Sequence, residues 1–201
     1  FGKLDMINYA FQNCYINSKK TNSYFTNLIN TPGSDYSRYT FFYLSYLVNN
    51  KNYEEVYKIS DNIDPLLNTL LLLQVKNWIN NKQLNSFNEY FSCENENDIL
   101  SEFFYLISNI YSSQDLYEKS NFYLNIANYL NPNFYFNLTL SAENFYLNSE
   151  YDLAREALKN FNEDDEMYYW YKIKKIAQII YEEQGQKKSI DFLEKKISEF
   201  R

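Results

Sequence analysis

Chemistry in this 201-residue chain has few side chains to work with, because histidine is absent. That removes Ser-His-Asp and Cys-His nucleophilic sites, His–metal clusters and the commonest general base. The two cysteines, Cys14 and Cys93, do not form a CxxC pair, so they do not point to a thiolate zinc site. Neither G-x-G-x-x-G nor G-x-x-x-x-G-K-[ST] occurs, and Gly2, Gly33 and Gly185 are too scattered to build a phosphate-cradling loop. The carboxylate pairs Glu54–Glu55 and Glu182–Glu183 are neighbours on exposed helix turns, so an acid/base pair would have to assemble from distant segments. Glu163-Asp164-Asp165-Glu166 reads as the acidic first turn of a helix, favoured by the positive end of the helix dipole, and not as a cation site. The sequon Asn137-Leu138-Thr139 falls inside an expected helix and is read as chance. The expectation is a chain that is not an enzyme, with no cofactor and no metal.

Bulk properties narrow the partners. The net charge is −7 and the longest basic runs are pairs, such as Lys174–Lys175 and Lys195–Lys196. Phosphate-backbone binding draws on clustered Lys and Arg, so no nucleic-acid partner is expected. The longest apolar run, Leu70–Leu73, is too short for a membrane-spanning segment. Three Gly and three Pro argue against a β-sandwich, whose turns need them, and against an α/β nucleotide fold. The chain starts at Phe1, which suggests a processed or truncated form. The compartment therefore stays open between the cytoplasm and, if a leader was removed, the bacterial envelope or periplasm.

The elements that must position any site are helices. The segments Ser101–Phe134, Tyr135–Tyr169 and Trp170–Arg201 repeat with a period of 34 to 35 residues. Apolar or small residues recur at relative positions 4, 7, 8, 11, 20 and 24, for example Ile173, Ile176, Ala177, Ile180, Ser189 and Leu193. Each segment reads as two helices joined by a turn: Glu102–Ser112 and Leu116–Leu130, Phe136–Leu147 and Tyr151–Phe161, then a helix reaching Gln184 and Lys187–Phe200. Ser149 and Asp152 are spaced like a capping box. Earlier hairpins are expected at Tyr39–Asn49 with Tyr53–Ile63 and at Leu66–Ile79 with Leu84–Phe91. A first pair, Leu4–Tyr15 and Thr21–Asn30, precedes the turn-rich Thr31-Pro32-Gly33-Ser34. The marker at relative position 20 falls at Val56, Phe87, Ser120, Ala154 and Ser189, so the early units are slightly shortened. A period of this length means stacked supersecondary units in which each contacts only its neighbours. In such a stack Cys14 and Cys93 would lie in non-adjacent repeats, so both are expected as free thiols, which suits a reducing compartment.

These positions resemble the tetratricopeptide repeat (TPR), W-x2-L-G-x2-Y then A-x3-F then P. From Ser101 the matching residues are Phe104, Ile107, Ser108, Tyr111, Ser120, Leu124, Ala127 and Pro132; from Tyr135 they are Leu138, Ser141, Ala142, Phe145, Ala154, Leu158 and Phe161. No repeat has the Gly; Ser108, Ala142 and Ala177 stand in as small residues that allow two helices to approach. The resemblance covers residues 37–201 and weakens toward the N-terminus. The chain is also similar to divergent TPR proteins of bacterial envelopes. The resemblance implies an all-α fold, a right-handed α-α superhelix of five to six helical hairpins. It would be one solenoid over 1–201, with an N-terminal helix pair in 1–33, degenerate repeats in 37–100 and clearer repeats in 101–201.

A concave groove lined by first helices would follow. Its residues would be Glu102, Tyr105, Asn109 and Ser112; Phe136, Thr139, Glu143 and Tyr146; and Tyr171, Lys174, Gln178 and Tyr181. Tyrosine offers large contact area with few rotors and a polar tip, which suits gripping a peptide or helix. The competing reading is that Phe136 and Tyr171 pack against the neighbouring first helix. With only Lys174 nearby, no clamp for an acidic C-terminal tail is expected. The expected function is a protein-protein interaction scaffold binding a protein or peptide. The alternatives are a structural subunit that self-associates through the N-terminal end, Phe1–Tyr15, or an accessory subunit of a larger complex.

Overall fold

The computed structural model describes residues 2–31, 37–64, 69–161 and 166–200. Among them twelve helices occur and no strand. They are α1 (Lys3–Tyr15), α2 (Thr21–Ile29), α3 (Ser37–Asn49), α4 (Tyr53–Asp61), α5 (Leu70–Asn80), α6 (Ser86–Tyr90), α7 (Glu96–Ser112), α8 (Tyr117–Leu130), α9 (Phe136–Leu147), α10 (Tyr151–Lys159), α11 (Glu166–Gln184) and α12 (Gln186–Phe200). Consecutive helices pack in pairs, as in α1 with α2, α3 with α4, α9 with α10 and α11 with α12. No helix of the described residues is long and apolar enough to cross a membrane. The turn-rich residues Pro32 to Ser34 and the acids Glu163 to Asp165 lie outside the described residues, as does the Glu166 side chain.

The hairpin turns are built alike. A left-handed residue closes each: Asn17, Lys51, Lys82, Asp115, Ser149 and Gly185, with φ between 48° and 86°. In the first five, the amide of the residue after the left-handed one reaches back to a carbonyl five residues earlier. Asn52 N–H donates to Leu47 O at 2.9 Å, Gln83 N–H to Trp78 O at 2.8 Å and Glu150 N–H to Phe145 O at 2.8 Å. This is the double-bonded C-terminal motif that satisfies a helix's last carbonyls, and it usually employs Gly. The capping box expected at Ser149 is absent. Glu150 is the N-cap of α10 without a side-chain cap bond, because Ser149 is taken up by the left-handed turn. Side chains other than Gly pay for this conformation, so Lys51→Gly and Lys82→Gly should each raise stability by about 0.5–1 kcal/mol. Gly185→Ala, at φ +86°, should lower it. Urea unfolding of the three variants reads both signs.

Two residues twelve apart lock each hairpin from α3 onward. The pairs are Leu44 with Val56, Val75 with Phe87, Ser108 with Ser120, Ala142 with Ala154, and Ala177 with Ser189, all buried. Where they are serines, they bond. Ser108 Oγ lies 2.8 Å from Ser120 Oγ and 3.0 Å from the Ser120 carbonyl, and Ser189 Oγ donates to Ala177 O at 2.7 Å. Ser108 with Ser120 and Ala177 with Ser189 are small residues that meet where the two helices approach.

The chain divides into two units, one of residues 1–104 with 126–134 and one of residues 105–125 with 135–201. In the first unit Phe11 is 1% exposed and sits among aromatic rings of α2, α3, α7 and the segment after α6: Phe25, Tyr39, Phe42, Phe91 and Phe103, at centroid distances of 5.2–6.4 Å. Edge-on and tilted pairs of this kind add to the area they bury. α6 is shorter than the expected Leu84–Phe91, because Phe91 turns extended and drops into this core, where Ser45 Oγ donates to its carbonyl at 2.7 Å. A turn at Cys93 and Glu94 then brings the chain back to α1. There Cys93 bonds to Cys14, with Cα atoms 5.6 Å apart and a sequence separation of 79. This overturns the expectation of two free thiols. A strict nearest-neighbour stack would keep these residues apart, but a one-and-a-half-turn α6 and the turn after Phe91 shorten the path.

α7 begins at Glu96, not at the expected Glu102. Its start is organised by side chains: Asn95 Oδ1 accepts from Asn97 N–H at 3.0 Å, and the Asp98 carboxylate accepts from Ser92 N–H at 2.9 Å. Burial pushes the Asp98 carboxyl up from 3.8 to about 6, against the bonds from Ser92 and Asn95. The folded state thus keeps a proton that the unfolded chain has released. This contribution to stability is full below pH 3.8 and is lost as pH rises through about 6. Asp98→Asn should flatten the stability profile over that window, as read by urea unfolding at a series of pH values.

In the second unit a buried amide ties hairpins together. Asn144 Nδ2 donates to Ser120 Oγ at 2.7 Å and to Asn121 Oδ1 at 2.9 Å, while Ser112 Oγ donates to Asn144 Oδ1 at 2.6 Å. A buried amide is tolerated when its donors and acceptor are met in this way.

Candidate functional site

The face of α9 that meets α11 carries Thr139, Glu143 and Tyr146, spaced by four and three residues so that they share one side of a helix. On α11 the corresponding side carries Tyr171, Lys175, Gln178 and Glu182. Three rungs join them. Tyr171 OH donates to Thr139 O at 3.0 Å; Lys175 Nζ donates to Glu143 Oε2 at 2.5 Å; Tyr146 OH donates to Glu182 Oε1 at 3.3 Å. The Lys175 ammonium also lies 4.6 Å from the centre of the Tyr146 ring, a cation–π contact. Burial holds the Tyr171 phenol well above its ordinary value, with Glu143 adding to it, and burial with Glu182 raises Tyr146, so both remain neutral donors at neutral pH.

Below this ladder, toward α12, is a hollow of about 330 Å³ lined by Tyr146, Lys174, Ala177, Gln178, Tyr181, Ser189 and Leu193. Four of the expected groove residues therefore converge on one cavity. Tyr181 is 53% exposed. Lys174 is exposed and no ion pair to it occurs among the described residues. Gln178 Oε1 is buried without a hydrogen-bond donor. The cavity thus combines an apolar floor, two phenols, one unneutralised ammonium and one acceptor awaiting a donor, which is equipment for non-covalent recognition.

The other expected groove residues lie elsewhere. Glu102 is buried in the first unit, where its carboxylate takes the Arg38 guanidinium. Asn109 is exposed on α7, and Tyr105 and Phe136 are half-buried. Thr139 gives its hydroxyl to Phe136 O at 2.6 Å and its carbonyl to Tyr171. Glu143 is committed to Lys175. Tyr171 packs between first helices, as the competing reading had it. The groove pattern missed Lys175, Ser189 and Leu193. Ser189 and Leu193 were legible only as repeat markers; Ser189 is buried, Leu193 is half-buried, and both line the cavity. Lys175 carried no signal apart from its neighbour Lys174.

Among the described residues no group of three or more His, Cys, Asp and Glu side chains is placed to hold a metal ion. Comparison with protein-family models, curated proteins and solved structures finds no match to this chain.

Proposed function

We propose that this chain is a non-catalytic binding module that takes a peptide segment of another protein into the hollow between α9, α11 and α12. The repeated hairpins support a TPR-like superhelix as its frame. The observation that carries the reading is the convergence of Tyr146, Lys174, Gln178 and Tyr181 on that one hollow, with Lys174 and the Gln178 oxygen unmatched. A bound segment would offer a backbone N–H to Gln178 and one carboxylate to Lys174, with an apolar side chain between the tyrosines. Glu143 and Glu182 beside the hollow disfavour a run of acidic residues. The Cys14–Cys93 bond favours an oxidising compartment over the cytoplasm.

Panning short random peptides on the whole protein tests this. Tyr181→Ala and Lys174→Glu should each weaken the enriched peptides by about tenfold or more, while the exposed Phe122→Ala on α8 should leave them unchanged. Enriched peptides indifferent to both hollow variants, or no enrichment at all, would count against it.

A further inference from the structure

The first unit holds a different cavity, independent of that reading. Phe11, Gln12 and Tyr15 of α1 and Glu96, Ile99, Leu100 and Phe103 of α7 line a hollow of about 450 Å³. Its size falls in the range of small-molecule sites, and its character is apolar and aromatic. The one ionisable carboxylate lining it is Glu96, at the first turn of α7. Glu96 is exposed, and its contact among the described residues is a long hydrogen bond from Tyr15 OH at 3.4 Å, with no cation against it. Leu100 is 47% and Tyr15 is 46% exposed, so apolar surface stays open to solvent there.

The disulfide brackets this cavity. Cys14 lies on α1 next to Tyr15, and Cys93 lies three residues before Glu96. The bond therefore holds the two walls at a set spacing. Helices whose apolar faces are left partly uncovered would otherwise close on one another or separate.

We propose that this hollow is a binding site for a small amphiphilic amine, with its apolar or aryl body among Phe11, Leu100 and Phe103 and its ammonium at Glu96, and that Cys14–Cys93 is the brace that keeps the site open. The aromatic lining receives the body, and the unneutralised carboxylate selects the head's charge. The Gln12 and Asn97 amides that also line the hollow can serve a charged or a neutral head alike, so the preference for a cation rests on Glu96.

Calorimetric titration of the whole oxidised protein with phenylbutylammonium, phenylbutanol and phenylbutanoate tests the proposal. Affinity should fall in that order. Glu96→Gln should weaken the ammonium by about two- to fivefold and leave the alcohol unchanged. Leu100→Trp, at an exposed position that tolerates bulk, should block all binding by filling the hollow. Cys14→Ser with Cys93→Ser should weaken the ammonium and the alcohol alike. Equal affinity for the three probes, no binding of the ammonium, or undiminished binding to Leu100→Trp would each overturn it.

Discussion

Replacing Arg38 by Met is expected to destabilise the protein by about 3–5 kcal/mol at neutral pH, because it strands a buried carboxylate. Glu102 is 2% exposed. Its carboxylate accepts from Arg38 Nε at 2.9 Å and from Nη2 at 2.5 Å, and the guanidinium lies 4.7 Å from the Phe134 ring centre and 5.5 Å from that of Phe42. Burial raises the Glu102 pKa, and Arg38 is the largest influence that lowers it. Taking Arg38 away leaves only the Tyr39 hydrogen bond to oppose burial. The folded state then prefers Glu102 protonated while the unfolded chain releases the proton at the ordinary carboxylate pKa. Stability of the variant should accordingly recover as pH falls toward the ordinary carboxylate range, and be lost again as pH rises. Replacing both partners, Arg38→Met with Glu102→Leu, removes both buried charges and should regain most of the loss. Urea unfolding of the single and double variants over pH reads all three expectations. A single variant as stable as the parent at neutral pH would show that Glu102 is not sealed from water.

Removing the disulfide should cost about 2–5 kcal/mol, measured as the shift in urea midpoint between the parent and Cys14→Ala with Cys93→Ala. The bond closes a long loop, with 79 residues of separation, so in the chain-entropy account it withdraws much freedom from the unfolded chain. Two further observations set the size of the effect. Cys14 and Cys93 are 2% and 4% exposed, so a reducing agent reaches them only through local opening. Burial of Phe11 among Phe25, Phe42 and Phe91 should let the reduced protein still fold, at lower stability. A thiol titration of the native protein should find no reactive cysteine before unfolding.

Much of the helical plan was readable from residue types alone. Helical spacing of apolar residues placed Phe136–Leu147 to the residue, because that pattern reports a helix face directly. The small residues Ser108, Ala142 and Ala177 marked close helix approach, since any larger side chain there would push the helices apart. Turns were legible at Asn148-Ser149-Glu150 and Gly185, although the left-handed lysines Lys51 and Lys82 follow no propensity and are held by the backbone bonds around them. Boundaries failed where tertiary contact overrode local preference. Phe91 would extend α6 by composition, yet the core draws it out of the helix.

What the sequence by itself determined is the series of helix pairs, because periodicity and turn chemistry act within a few residues of one another. Only the tertiary structure decided which distant residues meet. Cys14 with Cys93 and Arg38 with Glu102 are joined across separations of 79 and 64 residues, and no local pattern encodes a path of that length. The same holds for the site. Lys174 and Lys175 are equivalent as letters, but packing gives one to Glu143 and Tyr146 and leaves the other exposed beside the hollow, because adjacent helix positions face about 100° apart.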